Sequence, residues 1–252
     1  MLLELAAVSR RFGGLAAVSD LSMTVVANTI HGLIGPNGAG KSTVFNLVSG
    51  VLPLSEGEIR FRGARISGLA PAEICRRGIA RTFQATTVFR EYTVRQNVLV
   101  ACQPRANDGT LAGLLRVRDY REREGAAVAR TAELLAALHL DGVADRVVAG
   151  LPHREQKALS IGLALATGAE LLLLDEPFAG LTLHETRELM DLLRGVRERG
   201  LTVLLVEHDM KAVMDLCDTI TVLDHGTRIA DGPPRAIQAD PAVIEAYLGA
   251  ES

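Results

Sequence analysis

The sequence predicts an α/β protein: a parallel β-sheet covered by helices on both faces, led by an antiparallel β layer and interrupted by an inserted helical subdomain. Three observations predict it. The runs ELLLLDEP, LTVLLVEH and TITVLDHG are too uniformly apolar for strands with one wet face, and helical stretches separate them, which is the βαβ rhythm of a buried parallel sheet. The opening segments LLELAAV and LSMTVV have strand composition, with Leu21, Met23 and Val25 alternating with polar neighbours. Residues 94–140 then turn to Ala, Leu, Arg and Glu in long segments, which suits helices.

Taken in order, the two opening strands lead to an apolar run at 30–34 that enters a Gly-rich loop. A helix is expected over 43–49, and GEIRFRG is a short strand bounded by glycines. The helical insertion follows, then the three buried strands, and residues 233–248 read as two short helices. No repeat or low-complexity linker marks a true boundary. The expected division is a catalytic core from 1–85 and 161–252, with a helical subdomain at 86–160.

Composition narrows the function. With 252 residues, 48% of them hydrophobic, the chain can bury a full core without disulfide or metal staples. A net charge of -3 and a pI near 6.1, with no block of like charges, argue against a nucleic-acid partner. Cys75, Cys102 and Cys217 are scattered and odd in number, so they read as small buried hydrophobes in a reducing compartment. No apolar run approaches the ~20 residues of a membrane helix. The start MLLELAAVSRRF, with Glu4 inside its apolar stretch, reads as a first strand and not a secretion signal, so a cytoplasmic location is expected.

The strongest single signal is Gly35-Pro36-Asn37-Gly38-Ala39-Gly40-Lys41-Ser42, which satisfies G-x-x-x-x-G-K-[ST] between an apolar strand and a helix. The glycines let backbone N–H groups turn toward phosphate oxygens, and the helix start that includes Thr43 adds positive potential. Lys41 is expected to hold the β- and γ-phosphates of ATP, and Ser42 to give its hydroxyl to Mg2+. The second half of the site is Leu171 to Leu174 followed by Asp175 and Glu176, acids at the carboxyl end of a buried strand, where open α/β sheets bind ligands. Asp175 would reach Mg2+ and Glu176 would polarise the attacking water. Taken alone, such acids also begin loops or cap helices; the phosphate loop upstream gives them their meaning.

Lys41, Gln84 in RTFQ, LPHREQKALSIGLALA, LLLLDEP and His208 in VEHD stand in the order found in ABC transporter ATPases, and the resemblance spans essentially the whole chain. Within that family the chain most resembles the ATPases of branched-chain amino acid importers, on RRFGGLAAV, FREYTVRQNVLVA, EHDM and VIEAYLG. The resemblance implies a RecA-like core bearing the P-loop. It also implies that Phe12 stacks on adenine, that Gln84 joins Mg2+ and links the site to the membrane subunits, and that His208 bridges to the γ-phosphate. Phe12 as an ordinary core aromatic stays open. Residues 86–94, with Phe89 and Tyr92, fall where such proteins accept a helix of the transmembrane partner, or else those rings are core.

Two departures from the family pattern matter. Leu151-Pro152-His153-Arg154-Glu155 stands in place of Leu-Ser-Gly-Gly-Gln, the signature that serves the opposite subunit's ATP. Pro152 has neither hydroxyl nor N–H, and Arg154 puts a long side chain where glycine permits close approach, unless it serves as an arginine finger. Thr182 and Leu183 stand where Asp or Asn and then Pro are usual. The resemblance thus implies an ATPase on the cytoplasmic face of the membrane, working with transmembrane permease subunits, a binding protein outside, and a second ATPase subunit, with a heterodimer favoured over a homodimer. Lipid or lipopolysaccharide export, or a regulatory subunit with little hydrolysis, are the alternatives.

Overall fold

The computed structural model of the chain describes residues 1–82, 88–103 and 117–248, those at 117–123 and 248 by backbone alone. The chain forms two compact units, one from residues 1–84 and 169–252 and the other from 85–168.

The first unit holds two sheets. Strands β1 (Leu3–Phe12), β2 (Leu15–Val25), β4 (Glu56–Phe61) and β5 (Ala64–Arg65) form an antiparallel sheet in the order β2-β1-β4-β5. The other sheet uses β3 (Ile30–Ile34), β6 (Ile79–Arg81), β7 (Leu171–Asp175), β8 (Thr202–Val206), β9 (Thr219–Asp224) and β10 (Thr227–Gly232), in the order β10-β9-β3-β8-β7-β6. Its five strands from β9 to β6 are parallel. The sixth, β10, returns antiparallel along β9 through a tight hairpin at His225-Gly226, an edge that the sequence reading did not anticipate.

The apolar runs are buried as their composition requires. Leu171 to Leu174 are at most 1% exposed, and each such side chain contributes roughly 1.5–3 kcal/mol relative to exposure. Helix α1 (Lys41–Val48) lies in the same core, with Val44, Phe45, Leu47 and Val48 packed among Leu3, Leu21 and Ile59 of one sheet and Leu33, Leu173 and Leu204 of the other. Helices α2 (Pro71–Arg76), α6 (Leu183–Glu198), α7 (Met210–Leu216), α8 (Pro234–Gln238) and α9 (Pro241–Leu248) complete the unit, the last two as the expected pair at the tail. His31 on central β3 is 1% exposed and meets the Thr221 hydroxyl of β9 at 2.8 Å, and that hydroxyl donates to Asp231 at 2.6 Å.

The second unit is helical where it is described. α3 (Val94–Cys102), α4 (Val117–Ala137) and α5 (His153–Ala166) pack on one another and bury Val98, Leu134, Leu135, Leu138, Leu159 and Ile161. Thr93 and Gln96 close a capping box on α3, satisfying two of its orphan amide groups. The expected subdomain boundary at 160 falls inside α5, which runs through Gly162 to Ala166 and ends before Gly168, whose φ is 78°. Of the three cysteines only Cys217 is buried, and burial pushes its thiol up to about 12; Cys75 and Cys102 are half-buried.

Candidate nucleotide site

The loop after β3 takes its path because two positions have no side chain. Gly35 has φ 149° and Gly40 φ 101°, and a Cβ would strike the Leu223 carbonyl at the first and the Ala17 carbonyl at the second. Gly40 is the N-cap of α1 and offers no capping side chain, and no acid occupies the first turn, so the amide groups and the positive end of the helix face the loop. Lys41 is only 6% exposed, and its Nζ donates to the carbonyls of Gly35 at 2.7 Å and Pro36 at 2.8 Å. Burial lowers its pKa, while the nearby charges of Glu176 and Asp175 raise it.

Strand β7 delivers the acids. Asp175 ends the strand, and Glu176 follows with φ 48°, a left-handed conformation that a side chain adopts at a cost of order 1 kcal/mol or more. The Glu176 N–H donates to the Val206 carbonyl of neighbouring β8 at 2.9 Å, which holds that turn in place. His208 follows β8, and its Nε2 lies 3.2 Å from Glu176 Oε1. Asp209 caps α7 by accepting from the amides of Lys211 and Ala212, so this acid is structural. A cavity of about 270 Å³ is lined by Ala17, Asn37, Gly38, Ala39, Gly40, Lys41, Ser42, Thr43, Glu176, Val206 and His208.

Most of the expected residues therefore converge. Asp175 does not line the cavity itself; its Oδ2 accepts from the Arg81 guanidinium at 3.0 Å, both side chains being nearly buried. Arg81 also donates to the Asn46 side chain of α1 at 2.6 Å and lies 5.6 Å from the Phe45 ring. Sequence reasoning missed Arg81, although RTFQ contains it. Phe12 is no core aromatic: it is 43% exposed, lies outside the lining of this cavity, and carries the Arg10 guanidinium 4.6 Å from its ring centre. Gln84 lies outside the described residues.

Both departures fall at helix starts. Pro152 is the N-cap of α5 and makes no side-chain cap. Thr182 is the N-cap of α6 and forms a capping box with Glu185, so the local work of an Asp or Asn there is done by a hydroxyl, with Leu183 exposed beside it. In the helical unit Phe89 and Tyr92 stack at 5.1 Å and are both about half exposed, so neither ring is core.

A glycine-rich loop that opens a helix, with a lysine turned into it and a strand-end acid pair beside it, defines a nucleoside triphosphatase that works through phosphate-binding backbone. The chain belongs to the ABC transporter family, whose profile matches residues 18–179, and it is an ATP-binding, ATP-hydrolysing subunit of such a transporter. A second profile, described as branched-chain amino acid ATP-binding cassette transporter, matches residues 227–252. The chain is 41% identical, over 98% of both chains, to the high-affinity branched-chain amino acid transport ATP-binding protein BraF of Pseudomonas aeruginosa. It has the same identity and coverage to the Escherichia coli K12 protein LivG, which carries the same description. A crystal structure of an ABC transporter ATP-binding cassette in its ADP conformation superimposes with a TM-score of 0.85 at 29% identity, covering 98% of each chain. Among the described residues no helix is long and apolar enough to cross a membrane.

Proposed function

We propose that this subunit powers the uptake of a branched-chain or related amino acid, from the cytoplasmic face of a membrane, for permease subunits fed by an external binding protein. The observation that carries the cargo class is the match of residues 227–252 to the branched-chain cassette profile, a segment outside the residues 18–179 that the general ABC transporter profile matches.

In this reading the loop from Gly35 to Thr43 binds the phosphates of ATP, Lys41 neutralises the β- and γ-phosphates, and Phe12 stacks on adenine. Glu176 takes the proton of the attacking water as oxygen bonds to the γ-phosphorus; the bond from that phosphorus to the bridging oxygen breaks, and ADP leaves with the electron pair. His208 contacts the γ-phosphate from the next strand end. Among the described residues no three His, Cys, Asp or Glu side chains converge as a metal cage. Ser42 would offer a hydroxyl and Asp175 a carboxylate to Mg2+, a hard cation that takes oxygen donors, and Gln84 is the third donor expected from the sequence. Bound there, Mg2+ would neutralise charge that develops on the phosphates.

The altered signature favours pairing with a different ATPase chain that supplies an intact one to the site built on Lys41 and Glu176. The test is reconstitution with the permease, the second ATPase and the binding protein in liposomes. ATP turnover should rise when the binding protein carries leucine, isoleucine or valine. Turnover that ignores all three would remove this cargo class. Turnover that survives Glu176→Gln in full would make the chain a regulatory subunit.

A further inference from the structure

Beside His208 stands a carboxylate that the reaction just described does not use. Glu207 is 5% exposed, yet among the described residues no cationic side chain pairs with it. Its two oxygens are taken separately: Oε1 accepts from the backbone N–H of Phe178 at 2.7 Å, and Oε2 accepts from the backbone N–H of His208 at 2.9 Å. A buried carboxylate is tolerated where charge-assisted hydrogen bonds replace its water, and two converging amides do so here. The identity of those amides is the informative part. Phe178 lies two residues beyond Glu176, on the turn that Glu176 opens in its left-handed conformation, and His208 is the other side chain that closes on Glu176.

We propose that Glu207 is a positioning residue for ATP hydrolysis, a two-ended clamp that holds the turn after Glu176 and the backbone of His208 at a fixed separation. This rests on the reading that Glu176 and His208 act at the γ-phosphate. The segments after β7 and β8 are joined by the Glu176 to Val206 backbone bond and by the side-chain contact of Glu176 with His208, and the carboxylate adds a tie that grips the backbone of both. Each oxygen must accept, and only a carboxylate offers two acceptors at this spacing; a neutral amide would turn a donor against one of the two N–H groups.

The test is Glu207→Gln in the full chain, assayed within its reconstituted transporter by single-turnover hydrolysis. The rate should fall about tenfold or more, because a small misplacement of reacting groups is enough for that. Nucleotide Kd should stay within about twofold, since the phosphate loop is untouched. In a His208→Ala background the same substitution should cost less than about twofold, because the group being positioned is gone. Glu207→Asp, which keeps both acceptors, should recover part of the rate. A Glu207→Gln rate close to wild type overturns the clamp, and so does an equal loss with and without His208. If Glu207→Gln does not fold, the same comparison made with Glu207→Asp decides. A wild-type rate for His208→Ala alone removes His208 from the chemistry, and the clamp then stands or falls on the Glu207 variant by itself.

Discussion

Glu176 Oε1 and His208 Nε2 lie 3.2 Å apart, brought together by the register of two parallel strands that places Asp175 opposite Val206. Each residue sits just beyond its own strand end, so the contact depends on two turns as well as on the sheet ladder. Both side chains remain partly open to solvent, at 33% and 47% exposure, as groups must be that meet a ligand from outside.

Glu176→Gln should abolish turnover while ATP still binds, and should favour a long-lived ATP-bound dimer. Removing a general base typically lowers the rate ~10²–10⁴-fold. Phosphate release and nucleotide retention, measured on the same sample, check both halves. The amide keeps the length of the side chain, so a variant that hydrolyses normally would assign the water to another group.

Lys41→Ala should act on binding itself. A charge-assisted hydrogen bond is worth about 1.5–3 kcal/mol, so nucleotide Kd should rise by roughly 10- to 150-fold. Calorimetric titration of ATP into wild type and variant reads this directly. Equal affinities would contradict the phosphate-loop assignment.

Restoring Ser at Pro152 and Gly at His153 and Arg154 should raise the turnover of the subunit by itself at least about tenfold, since one lost contact to developing charge costs ~10²–10³ in rate. The N-cap of α5 is where such a hydroxyl would sit. An unchanged rate would show that the departure is tolerated. A fall would identify Arg154 as a phosphate contact in its own right.

His31 makes folding stability depend on pH. Burial holds its pKa near 4 in the folded chain, against 6.5 when exposed, with Asp231 opposing the shift. The folded state thus binds the proton less readily than the unfolded one. The stability this provides is complete above the unfolded value and is lost as pH falls toward the folded one, about 2 kcal/mol by pH 5. Urea unfolding at pH 7.5 and pH 5 should show that loss in wild type and not in His31→Gln. A variant that loses as much as wild type would place the effect elsewhere.

The parts legible in the sequence were those in which one stretch of chain carries the whole signal. The phosphate loop needs its glycines at fixed spacing, and Leu171 to Leu174 can only be a buried strand once Asp175 and Glu176 follow. What stayed hidden required two distant stretches at once. Arg81 gives no sign of its tie to Asp175 until β6 and β7 lie side by side, and β10 has no periodicity that tells its antiparallel return from a loop. Phe12 could not be placed from composition because its exposure follows from lying at the end of β1, next to the turn into β2. The left-handed backbone of Glu176 has no sequence mark at all, since glutamate is a poor choice for it.

That last feature sets function against firmness at a single position. Glycine or asparagine would relax the φ of 48° and should raise the melting temperature slightly, yet either would remove the carboxylate proposed to polarise the attacking water. A redesign guided by stability alone would therefore select against the carboxylate proposed here to activate water, and the position would gain firmness by giving up the chemistry assigned to it.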